Sequence, residues 1–221
     1  MKFKEAEITK MRRTIRKSIK EHKRLPESVK VKNTDGDIVK LDKKQFAGLC
    51  ESRNVYIVKH NKIPKSVTLN TTANNPLVMD YQNDKYSCGP TSLSMAIQCL
   101  YGFRYESVCK KSCKTNTAGT TPANLIAGAK EQGYKLTQIN RNMSSVKKAL
   151  RDCSPVIAHI DTKLSDLGYI NNYGHYILIY GTSGEYYKVA DPTKGLKLSK
   201  STVLDKAMLN RTIGYYKVEI L

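Results

Sequence analysis

A cysteine, a histidine and a carboxylate, far apart in this 221-residue chain, stand in the kind of surroundings that acyl transfer needs. Cys88 lies in Tyr86-Ser87-Cys88-Gly89-Pro90-Thr91, directly ahead of a helical pattern in which Leu93, Ala96, Ile97 and Leu100 share a face. Pro90 suits the first turn of that helix, where a missing N–H costs nothing. The cysteine therefore meets free amides and the positive end of the helix dipole, which favour the nucleophilic thiolate. Taken alone, Cys88 reads equally well as a small buried hydrophobe at a helix start. A thiolate enzyme also needs a base, a group that orients the base, and donors for an oxyanion. His175 follows Gly174 and opens the apolar run Tyr176-Ile177-Leu178-Ile179-Tyr180, so it can stand at the end of a sheet. Asp191 closes the run Tyr186-Tyr187-Lys188-Val189-Ala190 and precedes Pro192. A hairpin turning near Thr182-Ser183-Gly184-Glu185 brings Asp191 back towards His175, where it can hold the ring tautomer. Gln82, shortly before Cys88, offers a side-chain amide to the oxyanion.

The elements that must position these groups follow from periodicity. The helix behind Cys88 is succeeded by a second pattern over Thr121–Gln132, with Pro122 in its first turn and Gly133 as its stop. A short third helix spans Ser144–Leu150. Strands are predicted at Pro155–Ile160, His175–Tyr180, Tyr186–Ala190 and Thr212–Glu219. Helices first and antiparallel strands later make an α+β fold, with the nucleophile on one layer and His-Asp on the other. The loop Asp161–Gly174, including Asn172, borders the cleft between them.

Other candidates carry less. His159 falls inside a strand pattern and reads as a wall residue, and His22 and His60 as surface residues. Asp161 and Asp166 compete with Asp191 as the orienting carboxylate, or as cation ligands. Cys50, Cys99 and Cys153 read as core positions. Cys109 and Cys113 share a helix face, but no second pair at ligand spacing completes a zinc site. Free thiols are expected, and no metal ligand is assigned, because no acidic run supplies the about six oxygens that a hard cation takes.

Gln82, the Cys88-Gly89-Pro90-Thr91-Ser92 block, Gly174-His175-Tyr176 and Ala190-Asp191-Pro192 together resemble the papain-like cysteine peptidases related to bacteriocin-leader-processing domains. Within that group the chain is most similar to the pseudomurein endoisopeptidases of viruses and proviruses of methanogenic archaea. The resemblance covers residues 75–221. It implies Cys88 as nucleophile, His175 as base, Asp191 as orienter and Gln82 as oxyanion donor. It also implies cleavage of the isopeptide bond between alanine and a lysine side chain, no covalent cofactor, and support of activity by a divalent cation, calcium among them. A related peptidase acting on a leader peptide is the alternative. Outside enzymes, the alternative is a wall- or nucleic-acid-binding protein with an idle triad.

The first third of the chain has its own pattern. Ile8, Met11, Ile15 and Ile19 mark an amphipathic helix that Pro26 ends. Val29 and Val31 alternate as in a strand, Asp35-Gly36 signals a hairpin turn, and a helix with Phe46 and Leu49 starts after Asp42, a suitable N-cap. Asn61-Lys62-Ile63-Pro64-Lys65-Ser66-Val67 echoes Lys23-Arg24-Leu25-Pro26-Glu27-Ser28-Val29. This order resembles one pseudomurein-binding repeat and the opening of a second, which places a binding module at 1–70. The plainer alternative is a helical cap on the catalytic part.

The chain's net charge is +19, and residues 1–66 hold 19 Lys/Arg against 8 Asp/Glu. Such a surface seeks a polyanion. The resemblance implies an anionic wall polymer as that partner. No zinc finger, basic zipper or aromatic RNA-binding signature supports nucleic acid. The N-terminus Met1-Lys2-Phe3-Lys4 lacks the apolar stretch of a signal peptide. No run long enough to span a membrane is present. A monomer held in the host cytoplasm until lysis, and then active on the wall, is expected.

Overall fold

The N-terminal stretch is built twice. In the computed structural model, which describes residues 1–72, 75–162, 169, 173–200, 204 and 214–221, it runs β1 (Lys2–Lys4), α1 (Glu5–His22), β2 (Ser28–Lys32), then β3 (Ile38–Asp42), α2 (Lys43–His60), β4 (Ser66–Thr68). Each half is a strand, an 18-residue helix and a strand. Both helices end on a left-handed residue, Lys23 and Asn61, 38 positions apart. The same offset relates Phe3 to Leu41, Ile8 to Phe46, Met11 to Leu49, Ile19 to Ile57 and Val29 to Val67, all of them buried. The second copy is therefore complete, where the sequence suggested only its opening.

Pairing crosses between the copies. β1 pairs antiparallel with β4, Phe3 opposite Val67. β3 pairs with β2, Leu41 opposite Val29. Shifting the first pairing by the repeat offset gives the second, so the copies are related by a pseudo-twofold. One core position breaks the likeness. Where α1 has Ile15, α2 has Arg53, whose Nε donates to Glu5 Oε1 at 2.8 Å and Oε2 at 3.0 Å. Asp42 caps α2 in a reciprocal box: its side chain accepts from the Gln45 N–H at 2.9 Å, and Gln45 Oε1 accepts from the Asp42 N–H at 3.0 Å.

This first unit comprises Met1–Val78 and, returning to it, Gln98–Phe103. A boundary drawn at residue 70 leaves that return out. Its physical cause is visible: the Tyr101 ring meets Phe46 edge-on at 5.6 Å, and Arg12 and Arg16 donate to the carbonyls of Tyr101 and Leu100.

The second unit holds Met79–Ile97 and Arg104–Leu221. Its helices are α3 (Cys88–Cys99, to Ile97 within the unit), α4 (Glu106–Ser112), α5 (Pro122–Glu131) and α6 (Met143–Arg151). Its strands are β5 (Tyr134–Ile139), β6 (Val156–Asp161), β7 (Gly174–Ser183), β8 (Tyr186–Asp191), β9 (Gly195–Lys200) and β10 (Tyr215–Ile220). They form one antiparallel sheet in the order β5-β10-β6-β7-β8-β9. Met143, Val146 and Ala149 of α6 cluster with Val156, Ala158 and Ile160 of β6, Ile177 and Ile179 of β7, and Val189 of β8. This is the expected α+β arrangement of helices on a large antiparallel sheet. Strands β5 and β9 are additions to it. The predicted Thr212–Glu219 strand is seen as β10, and its first two residues lie outside the described residues, as do Asp166 and Asn172.

Candidate active site

The hairpin β7–β8 sets the first half of the site. Leu178 pairs with Ala190, so Asp191 falls beside Ile177, on the same side of the pleat as His175 and diagonal to it. His175 Nε2 lies 3.0 Å from Asp191 Oδ1, with both side chains buried. That bond leaves Nδ1 for another partner, and His175 hydrogen-bonds with the Cys88 side chain.

Cys88 itself is half-buried at the first residue of α3. Gly89 explains how the helix start comes so near β7. A Cβ there would lie 3.2 Å from Tyr176 Cδ2 and 3.2 Å from Thr120 Cβ, tighter than ordinary contact. The Tyr176 hydroxyl also donates to the Thr120 carbonyl at 3.2 Å, holding this approach. Asp84 organises the turn ahead of Cys88: its carboxylate accepts from the Tyr86 N–H at 2.8 Å and from Lys110 Nζ, and its carbonyl accepts from the Gln82 side chain.

Gln82 is pinned on three sides. Its Nε2 donates to Asp84 O at 2.7 Å, its Oε1 accepts from Thr193 Oγ1 at 3.2 Å, and its backbone N–H donates to Pro192 O at 3.1 Å. An amide nitrogen carries two protons, so one remains for a ligand.

Sequence reasoning missed what surrounds the carboxylate. Asp191 Oδ1 also accepts from the backbone N–H groups of Thr193 at 2.9 Å and Lys194 at 3.3 Å. Its Oδ2 accepts from the Tyr169 hydroxyl and from Lys197 Nζ, the latter at 3.0 Å. The Tyr169 ring packs 5.2 Å from the His175 ring, and Lys194 Nζ sits 4.0 Å above it. Lys197 left a signal of a misleading kind. In Gly195-Leu196-Lys197-Leu198 the leucines face solvent and the lysine turns to Asp191, the reverse of the usual alternation.

These contacts fix the charges. Burial works against a charged His175 ring, but its bonds to Asp191 and Cys88, with their charges, outweigh that and raise its pKa from 6.5 to about 9. Burial would likewise raise Asp191, yet the His175 bond and charge, the Tyr169 hydroxyl and the Lys197 charge hold it well below the usual carboxylate range. Burial and then Asp191 push the Tyr169 phenol upward, so it stays a proton donor. The arrangement suits an ion pair in which His175 carries a proton beside a nucleophilic sulfur.

The competing residues lie elsewhere. His159 sits opposite Tyr176 in the β6–β7 register, and its ring stacks on that tyrosine at 4.2 Å. Asp161 is buried opposite Gly174. Cys50, Cys109 and Cys113 are buried, and burial pushes Cys50 and Cys113 up to about 12. Burial pushes the Cys99 thiol up to about 12 as well, in keeping with a core position, whereas Cys153 is half-buried. Among the described residues no group of three or more His, Cys, Asp or Glu gathers as a metal site would require. No helix among the described residues is long and apolar enough to cross a membrane.

The chain is similar to proteins already known. The transport/processing ATP-binding protein ComA of Streptococcus pneumoniae is 28% identical over 120 residues, which is 54% of this chain and 16% of ComA. The chain thus spans less than a fifth of that relative. The peptidase domain of Streptococcus ComA, a bi-functional ABC transporter of a quorum-sensing pathway, superposes with a TM-score of 0.52 at 19% identity, over 65% of this chain and 98% of the domain. A C39-like peptidase from Bacillus anthracis gives a TM-score of 0.50 at 12% identity, over 64% and 94% of the two chains. Both are likenesses of fold. The sequence profile of the Peptidase C39 family matches residues 77–207, more than half of the chain. The chain belongs to the Peptidase C39 family, and it is a papain-like cysteine peptidase.

Proposed function

We propose that this peptidase is a pseudomurein endoisopeptidase, which hydrolyses the bond between alanine and a lysine side chain in methanogen wall cross-links. The observation that carries the chemistry is His175 held 3.0 Å from Asp191 while it hydrogen-bonds with Cys88. Cys88 Sγ attacks the alanine carbonyl carbon. A C–S bond forms, and the carbonyl electrons move to oxygen, where the Cys88 N–H and the remaining Gln82 amide proton receive them. As the oxyanion collapses, the C–N bond breaks and His175 passes its proton to the leaving lysine amine. Water then attacks the thioester, giving a proton to His175, and the thiolate leaves. Asp191 keeps the ring in place throughout.

Support for the substrate comes from the N-terminal unit, whose order of helix, Leu-Pro-x-x-Val, turn and Phe-containing helix resembles a pseudomurein-binding repeat. Its surplus of lysine and arginine suits an anionic wall polymer. On this reading the protein is a monomer that waits in the host cytoplasm and reaches the wall at lysis, with a divalent cation supporting activity. A second reading has a leader-type peptide as substrate. The match to the processing protein ComA favours it.

The test is clearing of isolated pseudomurein walls under reducing conditions, with wild type and Cys88→Ala side by side. Clearing by wild type alone, with new lysine ε-amines, is expected. Intact walls, with Cys88-dependent cleavage of a leader peptide, would replace the wall substrate by the second reading.

A further inference from the structure

The crossed pairing of the N-terminal unit leaves one edge of β4 open beside a groove. Antiparallel strands alternate between residues bonded to the partner and residues whose N–H and C=O point away. In β1–β4 the bonded positions are fixed by Glu5 N–H to Lys65 O at 3.0 Å and Leu69 N–H to Met1 O at 2.9 Å. Val67, opposite Phe3, falls in the same series. Ser66 and Thr68 therefore turn their backbone donors and acceptors to the outer side, and among the described residues no third strand joins this sheet. That outer side is not featureless. A groove of about 560 Å³ runs between β4 and α2, lined by Ser66, Thr68, Asn70, Glu51, Val55 and Tyr56, with Lys2 at the β1 side.

We propose that this groove binds an extended peptide bearing an amino group, which adds to β4 as a third strand. The main chain of the peptide would pair with Ser66 and Thr68. Half-exposed Val55 and the Tyr56 ring offer apolar contact on the helix wall. Glu51 supplies the charge. It is the one acidic residue of α2, its Oε2 accepts from Asn70 Nδ2 at 2.9 Å, and Oε1 is there for an ammonium group.

The duplicated copy provides an internal contrast. By the repeat offset, Glu51 and Val55 correspond to Arg13 and Lys17 on α1, and Ser66 and Thr68 to Ser28 and Lys30 on β2. Asn33 N–H to Asp37 O at 2.9 Å sets the same alternation there, so Ser28 and Lys30 also turn outward. The two edges share a backbone and differ in charge. An amine-bearing peptide suits only the β4 edge.

This inference goes beyond the isopeptidase reading and is tested without turnover, in the full chain carrying Cys88→Ala. The probe is a fluorescent hexapeptide, Ala-Lys-Ala-Lys-Ala-Lys, titrated by anisotropy and followed through the amide signals of Ser66 and Thr68. One peptide per chain is expected, with shifts at those two amides. Glu51→Lys should weaken binding at least about tenfold, as should methylating alternate peptide nitrogens, a change that leaves the protein untouched. An Arg13→Glu/Lys17→Val chain should gain a second site. Equal binding of Ala-Glu-Ala-Glu-Ala-Glu, indifference to Glu51→Lys or to N-methylation, or no binding of the lysine peptide would each overturn the proposal.

Discussion

Each unit of this protein holds an ion pair with little exposure to solvent, and the two pairs look alike on distance alone. Arg53 and Glu5 meet at 2.8 Å in the N-terminal unit, and His175 and Asp191 at 3.0 Å in the peptidase unit. The first joins α2 to the start of α1 and has a cation that never loses its proton. The second has a cation that titrates, a hydrogen bond from its ring to the Cys88 side chain, and a carboxylate braced by Tyr169, Lys197 and two backbone amides. A buried pair is therefore no sign of chemistry by itself. What separates the two is a partner that can change charge with a nucleophile in reach.

Four substitutions sharpen that contrast. Asp191→Asn keeps the shape and removes the charge, and kcat should fall by about 10⁴ while the fold remains. A fall of less than about tenfold would make Asp191 as passive as Glu5. In wild type the activity should decline as pH rises through about 9, where His175 loses its proton. Stability follows the same sign. His175 has its pKa raised, so its contribution is complete below pH 6.5 and disappears as pH passes about 9. Arg53→Met should leave kcat unchanged and destabilise by about 1–3 kcal/mol, because the partly buried Glu5 loses its cation; denaturant unfolding measures this. Gln82→Ala should lower kcat by about 10²–10³, with a small drop in melting temperature from its lost bonds to Asp84 and Thr193, and an unchanged kcat would remove Gln82 from the oxyanion site. Asp42→Ala, which loses the α2 cap, should cost about 1 kcal/mol and no activity.

Much of this was legible in the sequence where local rules and tertiary demands agree. Asp42 is a cap in the sequence and in the structure. The β7–β8 hairpin follows from two apolar runs around Gly184. Legibility failed where a polar contact overrode the pattern. In β9, Lys197 is drawn inward by Asp191 and pushes Leu196 and Leu198 into solvent, so the run gives no ordinary strand signal. The second N-terminal repeat was half visible because its core position 53 is arginine, satisfied by Glu5 from the other copy. Tyr169 carried no local signal, since its role depends on a carboxylate brought to it only by the sheet. Strand β5 alternates plainly enough, with Tyr134 and Leu136 buried, and its pattern was there to be read.

The crossed strands of the N-terminal unit have a consequence for how such a unit arises. A single copy, β1-α1-β2, has no partner for either strand, since β1 waits for β4 and β2 for β3. An ancestor holding one copy could close its sheets only with a twin, strand for strand, as a swapped homodimer. Gene fusion through the short connection at Asn33–Asp37 then turns an encounter between molecules into a fold within one. The fusion also frees the two halves to diverge, which a homodimer of identical chains cannot do, and Arg53 in the place of Ile15 and Glu51 in the place of Arg13 are the marks of that freedom.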